Sequence, residues 1–101
     1  MDKEYSLKVL PKAKSDMENT LDYIKDVLKS PQAASKHRKM FTEGLKKIKK
    51  SPKSFPHDEF ESLYRWYLVG NYKIYYLEID DKSQVVVFRV LYQGMDHPQH
   101  L

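Results

Sequence analysis

Two histidines near the end of the chain, His97 and His100, are the side chains best suited to moving protons near neutral pH, because only imidazole has an unperturbed pKa in that range. Arg65 and Lys73 lie on either side of a Gly70-Asn71 pair and can stabilise negative charge. Tyr67 and Tyr92 can stack on an unpaired base or donate a phenolic proton. The three-residue spacing of His97 and His100 is ligand-like, but no third ligand accompanies it, so no metal is expected. Cysteine is absent, which excludes a thiolate nucleophile, a disulfide framework and cysteine-ligated zinc, and fits a reducing compartment. No cofactor is expected.

Charge adds a second kind of candidate. The chain of 101 residues carries a net charge of +4, unevenly spread. Residues 1–53 hold 14 Lys and Arg against 7 Asp and Glu, whereas residues 54–101 hold 4 against 7. Between Pro31 and Lys53 eight cations, Lys46, Lys47, Lys49 and Lys50 among them, face the single acid Glu43. A polyanion or an acidic protein partner would be drawn there. The plainer alternative is a solvated lysine face that keeps a small domain soluble.

These residues must be positioned by one folded unit, since the length suits a single domain over residues 1–101. No apolar stretch reads as a membrane span, and the N-terminus has no apolar core of the signal-peptide type. The expectation is a mature cytoplasmic protein. Alternation over 5–10, with Leu7 and Val9 in phase, predicts a short strand ending at Pro11. Ala13, Met17, Leu21, Ile24 and Leu28 then recur at steps of four and three, which predicts a helix with one apolar stripe. Ser30-Pro31 predicts a restart: the hydroxyl satisfies an orphan amide and proline loses nothing at the first helical position. The second helix has Ala34, His37, Phe41, Leu45 and Ile48 on its stripe and stops before Pro52.

Residues 51–61 carry two prolines and no period, so they read as a loop, with Phe55 and Phe60 tucked under the helices. Three strands come next over 63–69, 72–79 and 85–92, rich in Tyr, Val and Ile. Gly70-Asn71 suits a type II′ hairpin turn, because glycine supplies the positive φ at its first position. The expected class is α+β, in the order β-α-α-β-β-β: a helical hairpin covering one face of a small antiparallel sheet, with the first strand at an edge.

On this order the residues RWYLVGNYKIYY at 65–76, the acids Asp80 and Asp81, and VVFRVLY at 86–92 resemble the signature of the RelE/ParE superfamily of bacterial toxins. Upstream, Pro11 with Ala13, the LDYI run at 21–24, SPQAA at 30–34, and Leu45, Ile48 and Pro52 resemble the helical hairpin of the ParE branch. The resemblance implies the toxin of a type II toxin–antitoxin module, with a cognate antitoxin as partner. Members resembling ParE poison DNA gyrase; members resembling RelE cleave mRNA on the ribosome.

Cleavage by a 2′-hydroxyl needs a base, cations on the phosphate oxygens and a donor for the leaving oxygen. By resemblance Arg65 and Lys73 supply cations, with Tyr92 and His97 as further catalytic candidates. Tyr67, Arg89 and His100 would contact RNA or another target. The four lysines at 46, 47, 49 and 50 would meet the antitoxin.

The chain departs from the RelE pattern in three places: Tyr67 replaces a lysine, Met95 replaces a basic residue, and Leu101 replaces a catalytic tyrosine. A tail histidine could compensate, as in a branch of the superfamily that ends in a His-Tyr pair. These departures favour a gyrase inhibitor over an mRNA interferase. A basic nucleic-acid-binding module without toxicity is the remaining alternative. Structural roles also compete for the same residues. Arg65 can pair with Glu61, Glu78 or Asp96, Lys73 can guard a sheet edge, and Tyr64, Tyr72, Tyr75 and Tyr76 can fill cross-strand contacts. His37 reads as a packing residue of the second helix and His57 as a loop residue.

Overall fold

The computed structural model describes residues 4–59 and 61–93. Strand β1 (Ser6–Val9) runs parallel to the last strand, β4 (Gln84–Tyr92), with Leu7 opposite Val85 and Val9 opposite Val87. Strands β2 (Arg65–Val69), β3 (Tyr72–Ile79) and β4 form the expected antiparallel meander, and the sheet order is β1-β4-β3-β2. The parallel addition of β1 makes the sheet mixed, because the helical connection returns the chain to the opposite edge before the meander begins.

The Leu10 N–H donates to the Val87 carbonyl at 2.9 Å, and Pro11 then opens helix α1 (Pro11–Asp22), where its missing amide costs nothing. The helix continues through a π-helical turn, Tyr23–Val27. Its bonds from Leu28 N–H to the Tyr23 carbonyl and from Ser30 N–H to the Ile24 carbonyl are both 3.1 Å. The wider turn rotates the next residues off the 3.6-residue stripe. Ile24 is buried, but Leu28, expected on that stripe, is 56% exposed. Lys29 reverses the chain at φ 57°, and the Ser30 hydroxyl then accepts from the Ala33 N–H at 3.3 Å to start helix α2 (Pro31–Lys50). That is the cap expected of Ser-Pro.

Alternation along the strands puts Val69, Ile74, Tyr76, Val85, Val87 and Val90 in one core with Ala13, Leu21, Phe41 and Ile48 of the helices. Gly44 lets α2 approach the sheet: a Cβ there would lie 2.7 Å from Val69 Cγ2 and 3.4 Å from Ile74 Cδ1. The opposite sheet face carries an aromatic layer, with Tyr64 and Tyr75 at 4.8 and 6.2 Å from the Phe88 ring. Phe55 tucks against Tyr67 at 4.5 Å, as expected, whereas Phe60 lies outside the described residues. The loop also lays residues 56–58 along β2, through Trp66 N–H to the Pro56 carbonyl and Asp58 N–H to the Tyr64 carbonyl. At the β2–β3 turn Gly70 takes φ 58°.

One irregularity organises the rest. Tyr75 pairs with Arg89 and Tyr76 with Val87, so Phe88 is an extra residue, a bulge in β4. Just past it the Asp16 carboxylate of α1 accepts the Val90 N–H at 2.9 Å and the Arg89 Nε–H at 2.7 Å. A helical side chain takes the place of the strand that β1 is too short to provide.

Two substitutions check this arrangement by urea unfolding. Asp16→Ala should destabilise by about 3 kcal/mol, because it strands a half-buried guanidinium and a backbone donor, and Asp16→Asn by less. Gly44→Ala should lower stability by about 1–3 kcal/mol despite the roughly 1 kcal/mol that alanine gains in a helix, since Val69 is β-branched and cannot swing away. A stabilised Gly44→Ala protein would show that the sheet yields.

Candidate functional site

Where the end of α1, the π-helical turn, the start of α2 and the ends of β3 and β4 meet, the surface opens into a cleft of about 800 Å³. Its walls include Asn19, Thr20, Tyr23, His37, Tyr72 and Tyr92. His37 bonds the Ala33 carbonyl through Nδ1 at 2.9 Å, which fixes the ring. It stands edge-on to Tyr72 at 6.1 Å, and Tyr72 meets Tyr92 at 5.5 Å. Such edge-to-face rings hold one another by their quadrupoles. Burial, then the neighbouring Tyr92, pushes the Tyr72 phenol above its ordinary pKa, so it stays a neutral donor. Arg89 lines the cleft with its charge already matched: Nε and Nη2 reach the two Asp16 oxygens at 2.7 and 3.2 Å. The cleft is therefore aromatic and close to neutral, fit for a planar or apolar group more than for a phosphate.

Arg65 sits elsewhere, opposite Tyr76, whereas Tyr92 is opposite Tyr72. Four strand residues, roughly 13 Å, separate the two places. The Arg65 guanidinium is held by the fold: Nε donates to Glu78, and Nη1 donates to the Phe55 carbonyl at 2.6 Å. Of the structural partners the sequence suggested, Arg65 takes Glu78, and Asp96 lies outside the described residues. Lys53 Nζ completes the cluster, 2.8 Å from Glu78 Oε2 and 3.0 Å from Asp80 Oδ2. Tyr67 shares the helix-bearing face with Arg65 and is half-buried behind Phe55.

Lys73 belongs to the other face, with Nζ 4.6 Å from the Trp66 ring centroid. Because β3 is an inner strand, Lys73 guards no sheet edge. Tyr75 and Tyr76 are fully buried, in keeping with a packing role, and His57 forms a bridge to Arg65 beside β2.

Of the residues singled out in the sequence, the fold thus brings together Arg89 and Tyr92 and parts them from Arg65, Tyr67 and Lys73. His97, His100, Met95 and Leu101 lie outside the described residues. Lys46, Lys47, Lys49 and Lys50 are exposed, and three of them stand in the last turn of α2, where cations also answer the helix dipole. The partners that make the cleft, Asp16 and Tyr23, escaped sequence reasoning. Asp16 meets a residue 73 positions away, a pairing no local period announces. Among the described residues no group of three His, Cys, Asp or Glu could hold a metal, and no helix is long and apolar enough to cross a membrane.

The Glu78 cluster sets a pH dependence. Burial alone would raise the Glu78 carboxyl, but hydrogen bonds and charge from Lys53 and Arg65 outweigh it and hold the group below the ordinary carboxylate value. The native state then binds fewer protons than the unfolded chain in acid. The stability Glu78 contributes is present above its unfolded pKa of about 4.3 and is lost as pH falls through the depressed native value. Glu78→Gln should cost about 2 kcal/mol near neutral pH and flatten the acid loss of stability, read from urea unfolding at a series of pH values. An unchanged acid slope would remove Glu78 as its source.

No curated protein matches the chain. Solved structures do, at low identity. The chromosomal ParDE toxin–antitoxin system from P. aeruginosa superposes with a TM-score of 0.74 at 18% identity, covering 88% of this chain and 96% of that one. The toxin–antitoxin complex RelBE2 from Mycobacterium tuberculosis gives 0.62 at 16%, covering 91% and 97%. The archaeal RelE-RelB complex from Pyrococcus horikoshii OT3 gives 0.61 at 15%, covering 93% and 100%. These likenesses establish the fold. A family model for the ParE toxin of the type II toxin-antitoxin system parDE matches residues 7–97, a span that takes in both helices, the bulge and the whole meander, and the chain belongs to the ParE toxin family.

Proposed function

We propose that this chain arrests bacterial growth by binding DNA gyrase without performing catalysis, acts in the cytoplasm, and is neutralised by a cognate antitoxin. The observation that carries the reading is the dispersal, among the described residues, of the candidate catalytic groups Arg65, Lys73 and Tyr92. Acid–base and charge-stabilising residues must sit within hydrogen-bond reach of one reacting phosphate. Arg65 instead turns its Nε and Nη1 donors to Glu78 and two backbone carbonyls, and Lys73 lies on the other sheet face. Membership of the ParE family supports the same reading, and the three similar solved structures described above, each a toxin–antitoxin system or complex, support an antitoxin as partner. The cleft beside Tyr92, which is 48% exposed, offers the target an aromatic surface.

A pulse-label comparison after inducing the chain alone in bacteria tests this. Thymidine incorporation should fall before amino-acid incorporation; the reverse order would put ribosome-dependent mRNA cleavage first, and no arrest would sink the toxin reading. Substituting Arg65 would confuse that test, because it leaves Glu78 short of a partner and costs about 3 kcal/mol. Tyr92→Ala and Lys73→Ala are cleaner. Tyr92→Ala should keep the melting temperature within a few degrees and weaken growth arrest, whereas full toxicity would remove the cleft from the target surface.

A further inference from the structure

Helix α2 buries Ala34, Phe41, Gly44 and Ile48 and turns a line of cations to solvent. Lys36, Lys39, Lys46 and Lys50, with Glu43 among them, recur at steps of three and four, so they share one face about 21 Å long, and Lys47 stands beside them. All five lysines are exposed, and among the described residues no salt bridge engages any of them. Beyond Pro31 every exposed residue of α2 is polar or charged.

Local structure does not account for this line. Cations in the last turn answer the helix dipole, but Lys36 and Lys39 lie toward the other end, where they gain nothing from it. A face kept for solubility alone mixes both signs, whereas here five lysines accompany one acid, and like-charged neighbours at i+3 and i+4 repel. A bound polyanion removes that repulsion.

We propose that this face of α2 binds the phosphate backbone of duplex DNA. At about 3.6 residues per turn, Lys39 and Lys46 fall on one side of its midline and Lys36 and Lys47 on the other, about 80° apart. An α-helix about 10–12 Å across matches the major groove of B-DNA, about 12 Å wide, so the two flanks meet phosphates of opposite strands. A-form RNA has a major groove too narrow for that fit. An acidic protein would meet the same charge but no apolar anchor, and protein interfaces are built on such anchors. Lysine lacks the planar fork that reads a base, so the binding is independent of sequence. The proposal goes beyond the gyrase reading and does not rest on it.

The test uses the full chain and a fluorescein-labelled DNA duplex about two helical turns long, read by fluorescence anisotropy. Affinity should fall about 100-fold between about 50 and about 200 mM salt, as about four neutralised phosphates require. Lys39→Gln with Lys46→Gln should weaken binding about tenfold at the lower salt and flatten the salt slope by about 2. Lys12→Gln with Lys25→Gln makes the same change of charge at exposed positions off this face and should stay within about twofold of the parent. Both double variants alter only exposed side chains and should keep the parent circular dichroism.

Equal losses in the two double variants would reduce the effect to net charge and overturn the proposal. Salt-insensitive binding, no binding at the lower salt, or equally tight binding of an RNA duplex of the same sequence does so too. Displacement of the DNA by polyglutamate at equal charge concentration also overturns it, since the face would then suit an acidic protein. Growth arrest is scored separately. A non-toxic chain that binds DNA through α2 rejects the toxin reading and keeps this face; a toxic chain that ignores DNA does the opposite.

Discussion

The fold hangs on a carboxylate that stands in for a strand. β1 pairs with β4 only as far as Val87, and β4 runs on for five more residues with that edge open. An unpaired backbone donor next to a core residue is costly, and an open edge invites pairing with other chains. Asp16 answers both problems. It accepts the Val90 N–H and both donors of the Arg89 fork, so α1 is locked across the edge at the point where the Phe88 bulge turns the strand. Val90 can then face the core beside Leu21 and Phe41, and Arg89 is drawn into the wall of the cleft. The helix position, the bulge and the cleft are consequences of one another.

The opposite end of the sheet is tied by charge in a similar way. Glu78 holds Arg65 and Lys53, Lys53 also holds Asp80, and the Tyr5 hydroxyl donates to Asp80 at 3.1 Å. Tyr76 anchors the chain after α2 through its hydroxyl, which donates to the Pro52 carbonyl at 2.6 Å. Burial raises the Tyr76 pKa well above its ordinary value, so that bond persists through the physiological range. Residues from the segment just before β1, the loop after α2, β2, β3 and the β3–β4 turn all meet here. A side chain held by this many partners is poorly placed to move onto a substrate, because each contact it would release must be replaced.

The polar and aromatic side chains are thereby divided over the surface. Among the described residues, Arg65 is held by the Glu78 cluster and Lys73 is set on the other sheet face, while the exposed groups are aromatic at the cleft and basic along the helices. The π-helical turn contributes to this, since it holds Tyr23, Val27 and Leu28 more than half exposed beside the cleft instead of returning them to the core.

By itself the sequence determined the elements and their order. The alternation around Leu7 and Val9, the stripe through Ala13, Met17 and Leu21, the Ser30-Pro31 restart, the Gly70-Asn71 turn and the β-rich runs each encode a local preference that needs no distant partner. The ParE resemblance was legible for the same reason, because it is carried by ordered residue types along the chain. What only the tertiary structure decided concerns pairs far apart in sequence. The parallel sense of β1, the bulge at Phe88, the exposure of Leu28 after a π-helical turn, and the choice of Glu78 for Arg65 depend on which surfaces meet. Asp16 reads as an exposed helix residue until β4 arrives 73 residues later with an amide and a guanidinium to satisfy. Lys73 reads as an edge lysine until β4 closes over β3. Burial and neighbours set the work of a polar side chain, and both are properties of the folded chain.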